Sequence, residues 1–325
     1  MTRWNRCAVT VLVMALLLAL VCPSVPVFAE ETAAGTSPET TESSHPEETA
    51  EETTEETTVP VPRDENGLTA RQAVVYDSAT GQILFSKEIS TGKVFPASIT
   101  KLFSAFVALQ YLSPDQVVTA GEELEEVAPD SSVAYILQEQ SLTVAMLVEG
   151  MLLPSGNDAS YILATAAGRK IAADPELEYH QAVQVFVDEM NRTARDLGLD
   201  GSHFMNPDGY HMGSHYTSLP DLVTIARLAL DNPVISHYVH LCRDSVVYAS
   251  GQSNTWHNTN QILDPESEYY RADACGLKTG YTDAAGNCLL SAFRKGESSL
   301  IIGVFGCPHQ ENRFQDTLLL ADRFG

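Results

Sequence analysis

The stretch Pro96-Ala-Ser98-Ile-Thr-Lys101-Leu-Phe-Ser-Ala-Phe-Val-Ala-Leu-Gln-Tyr111 decides how the rest of the chain is read. Its apolar residues Leu102, Phe103, Phe106, Val107 and Leu109 recur at helical spacing, and a proline just ahead suits a first turn. The pattern predicts a helix starting near Ser98. Ser98 and Lys101, three residues apart, then share one face, where hydroxyl and amine can meet. A serine hydroxyl is a poor nucleophile until something takes its proton, and a buried neutral amine one turn away can do so. The helix start adds free backbone N–H groups that favour negative charge growing on an attacked carbonyl.

The tetrapeptide alone proves little, since S-x-x-K arises about once by chance in a chain this long. A second copy, Ser90-Thr-Gly-Lys93, stands in a polar, glycine-containing loop that argues against a helix. Taken alone, the first copy reads more readily as a helix-start serine beside a solvated lysine. The surrounding chain has to decide.

Upstream, residues 1–29 read as a secretory signal. Arg3 and Arg6 precede the apolar run Ala8–Val21, and Val27-Phe-Ala29 is an acceptable cleavage site. The run is short for a spanning helix, and a retained anchor stays open as an alternative. Residues 30–65 are expected to be an acidic, Thr/Glu-rich disordered spacer. Ten glutamates fall between Glu30 and Pro62, where no lysine or arginine stands and almost nothing can be buried. The formal charge of −24 therefore does not come from the tail alone. An acidic folded part speaks against nucleic acid and against an anionic membrane surface, so membrane contact is expected only if the N-terminal segment is retained.

Residues 66–325 have ordinary composition and are long enough for one large domain or two lobes sharing a cleft. Gln72–Tyr76 and Gln82–Phe85 flank a glycine-closed turn and read as a hairpin. Helices are expected over Ser141–Leu153, from Asn157 to about Gly168, over Tyr179–Leu197 and over Leu219–Leu230. Strand-like runs follow at Ala274–Tyr281, Gly286–Phe293 and Ser298–Gly306, and Asn312–Phe324 closes as a helix. Strands at both ends with helices between predict a mixed α/β fold: one central antiparallel sheet assembled from both chain ends, flanked by helices, with an inserted helical lobe.

Cys242, Cys275, Cys288 and Cys307 lie in this domain. Cys275 and Cys288 fall on neighbouring strands, as a disulfide or as buried free thiols. His211 and His215 stand four apart on a glycine-containing loop with no helix to align them, so no metal site is assigned. No cofactor is expected.

Three elements line up along the domain. Ser98-x-x-Lys101 opens a helix, Ser155-Gly-Asn157 precedes another, and Lys278-Thr-Gly280 lies in the strand-like run Cys275–Thr282. Lys-Thr-Gly alone arises by chance in about one chain in ten. The three together, in this order and in these contexts, resemble the penicillin-recognising serine enzymes, in which S-x-x-K, S-x-N and K-T-G frame one cleft. The likeness is closest to the D-alanyl-D-alanine carboxypeptidases among the low-molecular-mass penicillin-binding proteins. It covers nearly everything from Leu68 to Gly325, including Ser155-Gly-Asn-Asp158, Phe204-Met-Asn-Pro-Asp-Gly209, Asn258-Thr-Asn260 and Gly276-Leu-Lys-Thr-Gly-Tyr-Thr282. Many members carry a further β-rich domain and an amphipathic anchoring tail, whereas this chain stops at Arg323-Phe-Gly325, where the catalytic domain is expected to end.

The resemblance implies an extracytoplasmic bacterial enzyme that acts on peptidoglycan stem peptides and is acylated by β-lactams. Ser98 is the implied nucleophile and Lys101 its base, which requires a depressed amine pKa. Lys278 across the cleft is expected to help, since two cations about 5 Å apart repel by roughly 3 kcal/mol at an effective dielectric near 20. Ser155 relays a proton to the leaving amine, and Asn157 holds Lys101 and the substrate amide. The backbone N–H groups of Ser98 and Tyr281 form the implied oxyanion hole, and Gly280 lets the substrate backbone lie against the strand. Lys278 and Thr279 contact a terminal carboxylate. Arg313 either joins them or is a surface arginine. A D,D-endopeptidase or a β-lactamase on the same fold is the alternative. The β-lactamase needs a deacylating glutamate, of which Pro175-Glu-Leu-Glu178 is a faint echo, with His180 where asparagine is wanted.

Overall fold

The computed structural model describes residues 61–87 and 92–325. The expected signal, the spacer as far as residue 60, and Ser90 lie outside them. Residues 63–65, assigned to the spacer, are held by the folded part. Arg63 donates to the Gly67 carbonyl (2.7 Å) and pairs with buried Asp316 (3.0 Å), and Asp64 pairs with Lys87 (2.8 Å).

In chain order, strands β1 (Gln72–Asp77) and β2 (Gln82–Lys87) lead to a 3-10 turn at Ala97–Ile99 and helix α1 (Thr100–Ala108). The short pair β3 (Val117–Thr119) and β4 (Ser141–Thr143) precedes α2 (Val144–Leu152), α3 (Asn157–Ala172), α4 (Tyr179–Asp196), α5 (Leu219–Asp231) and α6 (Pro233–Val239). A hairpin of β5 (Arg243–Val247) and β6 (Ser253–His257) leads to β7 (Ala274–Thr282), β8 (Gly286–Lys295), β9 (Ser298–Cys307) and α7 (Gln310–Phe324).

Among the described residues, five strands form the main sheet in the order β2-β1-β9-β8-β7, every pairing antiparallel. The last strand of the chain thus pairs with the first, Val75 opposite Ile302, as a sheet built from both chain ends requires. β1 sits between two partners and is buried along its whole length, whereas β2 at the edge is largely exposed. The two-residue alternation of a strand explains how β1 serves two cores. Val74 and Tyr76 pack with α1, α5 and the rest of the helical lobe, while Ala73 and Val75 pack with Phe314 and Leu320 of α7. β7 is the other edge, and it borders the turn that carries Ser98.

Two elements differ from the sequence reading, and the open cysteine question is decided. The helix expected from Ser141 starts at Val144, because Ser141–Thr143 pairs with β3 and the Thr143 hydroxyl accepts from Met146 N (3.2 Å) as a cap. α3 does not stop at Gly168 but runs to Ala172. That glycine is a close-approach residue: a Cβ there would lie 1.9 Å from the Ala182 carbonyl oxygen of α4. Cys275 and Cys288 are free thiols, as are Cys242 and Cys307. Cys288 pairs across the ladder with Gly280, five residues on from Cys275. Among the described residues no helix is long and apolar enough to cross a membrane.

Candidate active site

A cleft of about 720 Å³ runs between β7 and the helical lobe, with Ser98, Ser155, Asn157, Thr279, Gly280 and Arg313 among its lining residues. Each wall presents its groups for a local reason. Ala97 has a positive φ of 48°, which bends the chain immediately before Ser98 and α1. The loop at Asn206–Gly209 packs against that bend so closely that only glycine fits at position 209, where a Cβ would fall 1.9 Å from the Ala97 carbonyl oxygen. On the opposite wall a Cβ on Gly280 would stand 3.0 Å from the Pro96 carbonyl oxygen and 3.2 Å from Ser98 N. The glycine keeps β7 against the Ser98 turn and leaves the Ser98 amide clear.

Lys101, fully buried on α1, donates to Ser98 Oγ (2.7 Å), Asn157 Oδ1 (2.8 Å) and the Asp208 carbonyl (2.8 Å). Burial pushes its amine down to about 8, and the carboxylates of Asp208 and Asp158 act in the opposite direction. Near that pH the amine exchanges its proton readily, and when neutral it accepts from the serine hydroxyl it touches.

Lys278 is also fully buried, with one long contact to the Thr279 carbonyl (3.3 Å). Burial lowers its pKa well below the ordinary lysine value, and the charges of Lys101 and Arg313 lower it further. Burial is the first cause that depresses each amine, and the repulsion between the two adds to it at Lys278.

Ser155 is 4% exposed and carries a positive φ of 67°, a strained setting for a residue with a side chain. Asn157 begins α3, and its Nδ2 donates to Ser131 Oγ (2.8 Å). Next to it, Asp158 accepts from the backbone N–H groups of Ala134 (2.8 Å) and Ile136 (2.9 Å), fixing the 130s loop against α3. Thr279 shares a 2.6 Å hydroxyl contact with Thr259. Tyr281 is 57% exposed at the mouth, its hydroxyl donating to Asp283 (2.9 Å).

Arg313 is not on the surface. It is 6% exposed in the first turn of α7, lies 4.8 Å from the Phe314 ring centre, and has no carboxylate partner among the described residues. Its Nε is buried without a hydrogen bond. An unpaired buried guanidinium at the edge of a cleft is a ready site for a ligand's carboxylate.

The structure thus brings Ser98, Lys101 and Asn157 into one hydrogen-bonded cluster and places Ser155, Thr279, Gly280, Tyr281 and Arg313 around the same cleft, with Lys278 beneath its surface. This layout decides the comparison with known proteins. The chain belongs to the D-alanyl-D-alanine carboxypeptidase family. The family's sequence model matches residues 56–309. The D-alanyl-D-alanine carboxypeptidase of Streptomyces sp. strain K15 is 32% identical over 69% of this chain and 76% of its own length. DacF of Bacillus subtilis is 28% identical over 78% of this chain, which spans 61% of that relative. Among solved structures, the Streptomyces K15 DD-transpeptidase aligns with a TM-score of 0.70 at 28% identity, covering 81% of this chain and 98% of that one. The ampicillin-bound penicillin-binding protein D2 of Listeria monocytogenes aligns with a TM-score of 0.63 at 26% identity, covering 78% and 97%.

His215 is part of the scaffold. It is buried, bonds through Nε2 to Thr100 Oγ1 (2.9 Å) and accepts at Nδ1 from Met205 N (3.2 Å), tying the loop before Asn206 to α1. Burial pushes its pKa down to about 3, so the ring is neutral. Ser131, Thr259, Tyr210 and the Asp208 carbonyl are site components without a sequence expectation. They sit in loops of no periodicity, and what places them is the contact with α3, β7 and α1.

Proposed function

We propose that this protein removes the terminal D-alanine from peptidoglycan stem peptides through an acyl-enzyme on Ser98. The observation that carries the reading is the 2.7 Å contact between Ser98 Oγ and the buried Lys101 amine, in a cleft that also holds the unpaired Arg313. The substrate carboxylate lies toward Arg313, Thr279 and Lys278. Neutral Lys101 takes the Ser98 proton as Oγ attacks the carbonyl of the D-Ala–D-Ala bond. The backbone N–H groups of Ser98 and Tyr281 receive the oxyanion. Ser155 gives its proton to the leaving amine and takes one from Lys101, which is neutral again; the C–N bond breaks, and D-alanine departs. Water then enters the vacated space, loses a proton to Lys101 and hydrolyses the ester. β-Lactams acylate the same serine, but their ring fragment stays tethered and obstructs that water.

A β-lactamase reading has less support. Glu176 and Glu178 are exposed in the connection between α3 and α4 and do not line the cleft. The proposal extends to the N-terminal segments: residues 1–29 direct export, residues 30–62 act as a spacer, and the domain works outside the cytoplasmic membrane against the cell wall.

D-Alanine release from Nα,Nε-diacetyl-Lys-D-Ala-D-Ala, measured beside penicillin hydrolysis on one preparation, tests the reading. Many turnovers of peptide with penicillin shed only over minutes or longer are expected. Rapid multiple-turnover penicillin hydrolysis without D-alanine release would overturn it in favour of the β-lactamase.

A further inference from the structure

A second cavity, of about 290 Å³, lies beside the cleft, and Tyr210 lines both. Its apolar wall includes Val183 and Val187 of α4 together with Met205, and its polar groups include Glu126, Tyr161 and Asp208. Tyr161 is only 8% exposed, yet its hydroxyl has no hydrogen-bond partner among the described residues. Burial is the main cause that raises its pKa, followed by the charges of Asp208 and Glu126, which line the same cavity. Neither accepts a hydrogen bond from it. Asp208 Oδ1 instead accepts from Tyr210 N (3.1 Å). The Tyr161 side chain lines the cavity, so its hydroxyl is free to meet a ligand there.

Two carboxylates and a free hydroxyl beside an apolar wall suit a ligand with a compact, multiply donating cation on a hydrocarbon body. A primary ammonium has three donors and no acceptor, and its methylene chain can lie along Val183 and Val187. We infer that this cavity binds a primary ammonium group on a short aliphatic chain, supplied by a side chain of the stem peptide ahead of the D-Ala–D-Ala unit. The choice of the stem as source rests on the carboxypeptidase reading. With the terminal carboxylate at Arg313, the rest of the peptide lies along the same cleft, whose lining also includes Ser131, Asp130 and Tyr210. Tyr210 lines the second cavity as well, and its hydroxyl donates to Asp130 (3.1 Å).

The test has a binding arm and a turnover arm, both on the full chain. Calorimetry with n-pentylammonium should show binding that n-pentanol does not, and Glu126→Gln and Tyr161→Phe should weaken it. In the turnover arm, kcat/KM for Nα-acetyl-Lys-D-Ala-D-Ala, with its free side-chain amine, should exceed that for the diacetyl peptide about tenfold, as one charge-assisted contact allows. Glu126→Gln should erase that advantage and leave the diacetyl rate unchanged. Ammonium binding with equal turnover of the two peptides would show a site for a free amine and overturn the stem as its source. Absence of ammonium binding, or binding that neither variant alters, would overturn the inference. If no peptide releases D-alanine, the carboxypeptidase reading fails, and the calorimetry still decides the cavity.

Discussion

Lys101 and Lys278 have the same side chain and are both fully buried, one on the helical wall of the cleft and one on the sheet wall. Their surroundings are opposite. Lys101 meets three acceptors and has Asp208 and Asp158 nearby, which hold its pKa at about 8 against the effect of burial. Lys278 has one long backbone contact and faces two cations. Burial alone therefore does not define a catalytic lysine. The first amine can give and take a proton near neutral pH. The second lacks an anion until a ligand brings one, so ligand binding and the charge on Lys278 are coupled.

The largest expected effect breaks the pair apart. Ser98→Ala and Lys101→Met should each lower D-alanine release by about 10³-fold or more, since they remove the nucleophile or its base. Intact-mass analysis should show a single penicillin adduct in the unaltered chain and none in Ser98→Ala. An adduct that survives there would move the nucleophile elsewhere. Lys278→Met and Arg313→Ala should cost roughly ten- to a hundredfold in kcat/KM, the worth of a charged contact to the carboxylate. Arg313→Ala should harm the peptide more than penicillin, because the bicyclic drug holds its carboxylate rigidly while the peptide's must be fixed.

Thermal unfolding sharpens the contrast. Lys278→Met exchanges a buried amine without a counter-ion for an apolar side chain of similar length, and its Tm should rise. Lys101→Met should bring no such gain, because the Asn157 amide oxygen and the Asp208 carbonyl lose their donor. A Tm that falls in Lys278→Met would mean that its amine is stabilised by more than the structure shows.

The pH profile separates the two amines at smaller amplitude. Lys101 acts in its neutral form, so kcat/KM should climb about tenfold per unit below about 8 and level above it. In the proposed mechanism Lys278 meets the carboxylate in its charged form. Its pKa is depressed in the free protein and rises when a carboxylate binds, so binding takes up a proton and weakens as pH increases. Isothermal titration of a slowly acylating ligand in two buffers of different ionisation heat should register that uptake. No proton uptake would remove the carboxylate role from Lys278.

Much of this was legible in the sequence, and the limits have physical reasons. The apolar, strand-like runs bounded by turn residues at both chain ends, and the helical spacing between them, set the α/β sheet-and-lobe arrangement, because run length, turn residues and 3.6-residue spacing are local signals. α4 and α5 stand within a residue or two of their expected bounds. Gly168 was misleading for the converse reason. Its meaning lies in the Ala182 backbone across the helix pair, which no local pattern reveals. The three motifs pointed to the site, yet the electrostatics did not follow from them. Asp208 and Asp158 act on Lys101 from loop and helix positions more than fifty residues away in sequence. The sequence leaves Arg313 open between cleft and surface, and the burial of the first turn of α7 places it inside.

Ser131 shows the same limit at a single hydrogen bond, and it carries the smallest predicted effect. Nothing in Asp130-Ser-Ser132 distinguishes it from any polar loop. It reaches Asn157 because Asp158 pins the Ala134 and Ile136 amides, which draws the 130s loop against the start of α3. Its hydroxyl then accepts from Asn157 Nδ2, while Asn157 Oδ1 accepts from Lys101. Ser131→Ala should loosen the amide without touching the amine. Losing a hydrogen bond of this kind costs about 0.5 to 1.5 kcal/mol, or roughly two- to tenfold in the acylation rate. The loss should be the same for peptide and penicillin, since both are acylated beside the same Asn157, and the pH midpoint near 8 should not move. A shifted midpoint would place Ser131 in the proton path, and an unchanged rate would mean that Lys101 alone holds the amide in place.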